Sequence, residues 1–420
     1  MALTPACDLF ILVGEASGDA YGAAILQALR TRHPDLVCAA MGGERLAAAG
    51  AEIEQPIDGL AVMGLGPVLA RLPEFIRLSL RLQRVVRARR PKVVLTIDYP
   101  GFNLRLVRQL ADLRRAGTRF IHVVAPQVWA WKPRRSKAIA RSVDRLLCFF
   151  PFEPPLFNRF QERYDFHADF VGHPLVDLVT GDASDQPLAL EIDPQAKLLL
   201  LAPGSRPREI AALLPVFHKA AELALPHLGE RVQPVVSRCS ELPLELYRRH
   251  THFPLVDGGY RALCRAAHGG LIASGTATLE AALCGLPHVI GYHTDRLTAA
   301  VARRVLLTKH VGLPNIVADR RLIPEVLQDQ LTPERLAQHL IKLWSGRGRA
   351  DMLAGLAEVR TRLGAGGAVA RMAQAVADEL FAGRRRDTSL FPPGSVARSR
   401  TEANDNPEAL RFAPPSTPRR

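Results

Sequence analysis

Two short runs carry the strongest chemical signal in this chain: Leu201-Ala-Pro-Gly-Ser-Arg206 and, well downstream, Ala273-Ser-Gly-Thr-Ala-Thr-Leu-Glu280. Each reads as a buried strand ending in a small-residue turn that opens a helix. Such a turn offers unpaired backbone N–H groups and a positive dipole end to an anion. Gly204, Ser205, Ser274, Gly275 and Thr276 are the expected anion contacts, and Arg206 adds a planar fork suited to phosphate. Glu280 falls one turn into the second helix, where a carboxylate can accept hydrogen bonds from ribose hydroxyls. Two phosphate-competent turns and one acid on one α/β domain point to a nucleotide-diphosphate donor.

The amino-terminal half supplies acids. Gly14-Glu-Ala-Ser-Gly-Asp19 follows an apolar run but is neither a Walker A loop nor a G-x-G-x-x-G turn. Gly14 and Gly18 permit a tight turn, and Glu15 and Asp19 place carboxylates, with Ser17 between them, at a helix N-terminus. Helix capping alone accounts for Asp19 well and for Glu15 less well. Asp98 follows four apolar residues and emerges at a strand's carboxyl end, the place for a general base with its pKa lifted by partial burial. An Asx turn into Pro100 and Gly101 is the plainer alternative. Trp129 and Trp131 lie beside Lys132, Arg134 and Arg135 and can stack on sugar or acyl groups, although one of them is expected in the core. Asn315 and Gln328, with Glu325 nearby, offer side chains to a uracil edge or sugar hydroxyls; loop hydrogen bonding explains them equally.

These residues need a scaffold. Near-continuous apolar runs at Leu9–Val13, Val93–Ile97, Phe120–Val124 and Leu146–Phe150 alternate with helical spacing, and the rhythm resumes at Leu198–Ala202, Val232–Val236, Leu271–Ala273 and His288–Gly291. Parallel strands covered on both faces have this pattern. The expected fold is α/β: two doubly wound, Rossmann-like domains facing a cleft, with ligands at the strands' carboxyl ends. The expected boundaries are 1–172, 190–345, a helical segment 346–383 and a disordered basic tail 384–420, the linker being the Pro-, Gly- and Asp-rich stretch from Val171 to Asp193.

The 420 residues carry a net charge of +14, which suits an anionic partner of some kind. Six scattered cysteines without C-x-x-C spacing read as reduced thiols of a cytoplasmic protein. No histidine pattern has metal-ligand spacing and no D-x-D lies in the folded part, so neither a metal nor another cofactor is expected. The stretch from Pro67 to Arg90 interleaves apolar residues with arginines, as a helix lying on an anionic bilayer does, or as a surface helix with solvated arginines does. No window of ~18 uncharged apolar residues suggests a membrane span.

Taken in order, Gly14-Glu-Ala-Ser-Gly-Asp19, Ala61-Val-Met-Gly64, Ile97-Asp98, Val128-Trp-Ala-Trp131, Pro151-Phe-Glu153, Val171-Gly-His-Pro174, Pro203-Gly-Ser-Arg206, Ser274-Gly-Thr-Ala-Thr-Leu-Glu280 and Leu313-Pro-Asn315 resemble the lipid-A-disaccharide synthases, bacterial glycosyltransferases. The resemblance implies a GT-B fold and metal-independent, inverting transfer of 2,3-diacylglucosamine. The donor would be UDP-2,3-diacylglucosamine and the acceptor 2,3-diacylglucosamine 1-phosphate (lipid X). It implies Asp98 as base, with Glu15 next, and Arg206 and the Ser274 helix stabilising the leaving diphosphate. It also implies a cytoplasmic protein peripherally bound to an anionic inner-membrane surface, no nucleic-acid partner, and an assembly in which a homodimer stays open. Gly101 replaces the second acid of the family's usual Asp-x-Pro-Asp-Phe-Asn. A UDP-N-acetylglucosamine epimerase, the peptidoglycan glycosyltransferase and a non-enzymatic basic adaptor are the competing readings.

Overall fold

The computed structural model describes residues 6–57, 72–131, 134–180, 193, 195–229, 231–294 and 308–381. Leu9–Val13 (β1), Cys38–Gly42 (β2), Glu52–Pro56 (β3), Val93–Ile97 (β4), Arg119–Val123 (β5), Arg145–Cys148 (β6) and His167–Phe170 (β7) form one sheet, ordered β3-β2-β1-β4-β5-β6-β7. Lys197–Ala202 (β8), Val232–Arg238 (β9), Leu255–Asp257 (β10), Ala267–Ala273 (β11), His288–Tyr292 (β12) and Glu325–Leu327 (β13) form a second, ordered β10-β9-β8-β11-β12-β13. Every pair is parallel.

Every residue of β1 and β4 is buried, as the unbroken apolar runs require. The strands that give no such run are mostly edges: β3 carries Glu52, Glu54 and Gln55, and β7 carries His167 and Asp169. One sheet face and its solvent rim do not need a continuous apolar stretch. β2, made of Cys-Ala-Ala-Met-Gly, is interior but built from small residues.

Helices Ala16–Arg30 (α1), Leu72–Arg89 (α2), Pro100–Gln109 (α3), Pro207–Ala224 (α4), Thr276–Leu283 (α5), Pro333–Trp344 (α6), Gly346–Arg362 (α7) and Ala368–Leu380 (α8) do most to frame the two lobes. α6 starts where the Thr332 hydroxyl accepts from the Arg335 N–H at 3.3 Å and Pro333 occupies the first turn. Its Leu336, Ala337, Leu340 and Trp344 then pack with Leu213, Leu214 and Phe217 of α4 in the second lobe's core. The two last helices part company. α7 buries Leu356 in that core, whereas α8 returns to the first sheet, where Glu379 pairs with Arg119 at 2.8 Å and the Ala375 carbonyl accepts from Arg145. Residues 58–71, which include Ala61–Gly64 and the start of the expected basic helix, and 382–420, the expected tail, lie outside the described residues.

Strand order reverses between β1 and β4, and again between β8 and β11. A crevice opens at the carboxyl ends of strands at such switch points. Register does the rest: Val13 lies opposite Ile97, and Ala202 opposite Ile272. Gly14 and Asp98 therefore emerge side by side, as do the Pro203–Arg206 and Ser274–Thr276 turns. The four most chemically loaded segments of the sequence occupy the two switch points.

Candidate active site

In the second lobe, Gly204 (φ 108°) and Gly275 (φ 150°) hold backbone conformations that side chains resist, so each turn doubles back tightly onto its helix. A cavity of about 430 Å³ is lined by both turns and by Ser237, Arg238 and Tyr260. The Ser274 N–H is spent on the Gly291 carbonyl at 3.0 Å, and the helix opens at Thr276 and Ala277, whose amides belong to a first turn without intrahelical acceptors. At the other turn, the Glu209 carboxylate accepts from the Ser205 N–H at 3.3 Å and pairs with Arg206 at 2.8 Å. An acid of the chain itself thus takes up the Ser205 amide and the Arg206 guanidinium at this turn.

In the first lobe, a second cavity of about 490 Å³ is lined by Glu15, Ser17, Tyr21, Asp98, Glu153 and His173, among others. Asp98 and Tyr99 are consecutive left-handed residues, φ 49° and 50°, and Val124 beside them at the end of β5 has φ 73°. Non-glycine residues in this region cost on the order of 1–3 kcal/mol each and persist only where their surroundings over-determine them. Here Asn103, wholly buried, donates to the Ile97 and Asp98 carbonyls at 3.3 and 2.8 Å. The Tyr99 ring also lies over Gly14, where any Cβ would collide with it at 2.5 Å. Burial raises the Asp98 pKa, a hydrogen bond from the Tyr99 backbone opposes this, and the Glu15 carboxylate adds to the rise. Glu15 itself accepts from the Ser17 hydroxyl at 2.6 Å.

Thr276 lines both cavities. The anion turns and Asp98 are thereby parts of one connected cleft between the two sheets.

The sequence profile of the lipid-A-disaccharide synthetase family matches residues 9–376. A lipid-A-disaccharide synthase of Acidobacterium capsulatum is 37% identical, covering 90% of this chain and 98% of that protein. One of Azotobacter vinelandii is 42% identical, over 79% of this chain and 88% of its own length. The chain belongs to the lipid-A-disaccharide synthetase family. A solved calicheamicin glycosyltransferase superposes with a TM-score of 0.57 at 16% identity, covering 90% of this chain and all of that one, a likeness of GT-B fold. The synthetase is therefore a glycosyltransferase that builds the lipid A disaccharide, and the epimerase, peptidoglycan and adaptor readings fall away.

Several expected ligand contacts of the synthetase prove to be internal ties. Asp19 is buried, and its two oxygens accept from the Gly43 and Arg45 amides at 2.6 and 3.0 Å, capping the short helix that follows β2. Asn315 is wholly buried: its amide nitrogen donates to the Ile323 carbonyl and Glu325, and its oxygen accepts from the Leu322 and Ile323 amides. All four hydrogen-bonding positions are filled, which leaves none for uracil. Gln328 pairs its amide with both backbone groups of Thr294. Trp129 turns inward, donating to Glu153 at 3.2 Å and meeting Phe152 edge-on. Gly14 is covered by Tyr99. Glu280 pairs with Arg261 at 3.7 Å, and burial raises its pKa. For Trp131 the structure gives a place at the end of the short helix Val128–Trp131 and nothing of its side chain.

Asn315→Ala should leave the buried Ile323 amide and carbonyl without their side-chain partner, the Leu322 amide keeping the Arg320 carbonyl at 2.9 Å, and cost roughly 1–3 kcal/mol for each group not rescued by water. Urea unfolding measures this; an unchanged midpoint would show that the loop does not depend on the amide.

Three cavity-lining residues were not expected as contacts, Glu153, His173 and Arg238, and Asn103 ties the turn behind Asp98. Glu153 is 1% exposed and accepts from the Trp129 ring and the Phe150 amide, while burial pushes its carboxyl up to about 7. His173 accepts from the Leu175 N–H through Nδ1, so Nε2 carries the proton; burial lowers its pKa to about 4 and keeps the ring neutral. Position 101 is open, with no atom within 4 Å of an added Cβ, and it borders a different, apolar cavity. An acid there would face that cavity, whereas Asp98 faces the connected cleft.

Proposed function

We propose that the chain transfers 2,3-diacylglucosamine from UDP-2,3-diacylglucosamine to the 6-hydroxyl of lipid X, with Asp98 as the base. The observation that carries this is the connected cleft, in which Thr276 borders both the anion turns and the Asp98 cavity. Asp98 takes the proton of the 6-hydroxyl while its oxygen attacks the anomeric carbon from the face opposite the diphosphate. The bond to the UDP oxygen breaks, its electron pair passes to the diphosphate, and the new linkage is β-1,6. Arg206 and the Thr276 and Ala277 amides stabilise the charge that develops on UDP. Glu209 must give way when the diphosphate enters. Burial raises the base's pKa, and the Glu15 charge beside Asp98 adds to the rise.

The acyl chains have a fitting place. α2 presents Leu72, Ile76 and Leu80, which are 40%, 50% and 48% exposed, as a stripe at helical spacing beside exposed Arg77, Arg81 and Arg84. Not every arginine of the helix serves a surface: Arg87 pairs with Asp112 at 2.8 Å, and buried Arg89 pairs with Glu52 and Glu54. Between α2 and α3 lies an apolar cavity of about 610 Å³, and Pro100 lines both it and the Asp98 cavity. An acyl chain of the acceptor entering from an anionic inner-membrane surface would run along this groove toward the base. Among the described residues no helix is long and apolar enough to cross a membrane, so the proposed contact is peripheral.

The test uses both lipids in vesicles with chelator present and mass spectrometry of the product. The chain should form the tetraacyl disaccharide 1-phosphate, and Ile76→Asp with Leu80→Asp should cut turnover on vesicles about tenfold or more while UDP affinity stands. Equal turnover by the double variant would remove α2 from the membrane contact, and no disaccharide from the parent chain would remove the reaction.

A further inference from the structure

The second lobe carries a cluster of ligand-type side chains that borders neither cavity of the cleft. His218 and Glu222 lie four residues apart on one face of α4, and His252 reaches them from the segment that leads into β10. The ligand atoms of all three lie within 4.8 Å of one another. His218 Nε2 stands 3.4 Å from Glu222 Oε1. That is the edge of a tetrahedron whose metal–ligand bonds are about 2.0–2.1 Å. His252 is exposed, and its ligand nitrogen lies within 4.8 Å of both of the others.

The surroundings are those of a built site. His218 Nδ1 meets the Thr251 hydroxyl at 3.0 Å, and Thr251, 8% exposed, is itself fixed by the Phe253 N–H at 3.1 Å. With Nδ1–H donating to that hydroxyl, Nε2 keeps its lone pair toward the cluster, the orientation that outer partners impose on metal-bound histidines. Lys219 holds the other Glu222 oxygen, Oε2, at 3.0 Å and leaves Oε1 facing the imidazoles. Phe253 packs against both rings, 4.4 Å from His218 and 4.8 Å from His252.

We propose that His218, Glu222 and His252 bind one divalent transition-metal ion of the zinc class, with a water completing the coordination. Two imidazoles and one carboxylate suit zinc rather than magnesium, which prefers six oxygen ligands. None of the three residues lines the cavities that hold Asp98 or Arg206. The ion therefore acts as a clip between α4, whose first turn follows Arg206, and the segment at 251–253, and it takes no part in the transfer.

The test is metal binding by the full-length, tag-free chain after chelator treatment and dialysis. Zn²⁺ should bind with one-to-one stoichiometry by calorimetry, Mg²⁺ should give no heat, and His252→Ala should weaken zinc at least tenfold with transferase turnover intact. Co²⁺ should give visible bands of a tetrahedral nitrogen and oxygen site without a thiolate charge-transfer band. Equal zinc affinity in the parent and both His252→Ala and His218→Gln would overturn the proposal, as would absence of binding or a thiolate band, which would assign the ion to cysteines.

Discussion

Asp98→Asn should lower turnover by about 10²–10⁴-fold, the range for removing a positioned general base, while UDP affinity stays within about twofold. The amide matches the carboxylate in shape and keeps the carbonyl that Asn103 binds, so the strained turn survives. What it lacks is a proton acceptor. The raised pKa of Asp98 fixes the direction of the parent's pH profile. A carboxylate must be ionised to act as base, so activity rises with pH through the Asp98 pKa and is lost as pH falls below it. That acid limb should lie above the ordinary aspartate range and vanish in the variant. Steady-state rates across pH with both lipid substrates measure it. Turnover within about threefold of the parent would take Asp98 out of the mechanism and direct attention to Glu15.

Arg206→Ala should weaken UDP binding and turnover together, with kcat reduced about 10²–10³-fold, as for loss of one preorganised donor to a developing negative charge. The structure gives a second reason for so large an effect. Arg206 pairs with Glu209, whose carboxylate also accepts from the Ser205 amide of the same turn. Without the guanidinium, an uncompensated acid remains at the position of the incoming diphosphate. Calorimetry with UDP and single-turnover kinetics separate the two contributions. Arg206→Lys should recover only part of the loss, because a single ammonium cannot make two parallel hydrogen bonds. Arg206→Ala with unaltered UDP affinity would place the arginine outside the donor site.

The two-sheet fold was legible because strands buried on both faces must be continuously apolar, and β1, β4, β8 and β11 nearly are. These four strands flank the two switch points, so the turns that end them lie at the crevices. Edge strands such as β3 and β7 were illegible for the complementary reason: solvent on one side permits Glu52 and Asp169. That Glu15, Asp98 and the two glycine turns line cavities was readable from their position at strand ends. Glu153 and His173 were not, since they border the cleft only because β6 and β7 extend the sheet past β5, and His218 and His252 meet only because α4 packs beside the segment leading into β10.

By itself the sequence determined the inventory: two glycine turns that open helices, one acid at a strand end, a basic apolar helix, and the family to which the ordered motifs belong. Only the tertiary structure decided how each side chain is spent. Asn315 and Asp19 looked like ligand contacts and became internal ties, while Asn103 and Glu153 looked ordinary and came to hold the cleft. The reason is that a polar side chain within reach of buried backbone groups must satisfy them first. Which groups lie within reach is set by packing between segments remote in sequence, information that no local pattern carries.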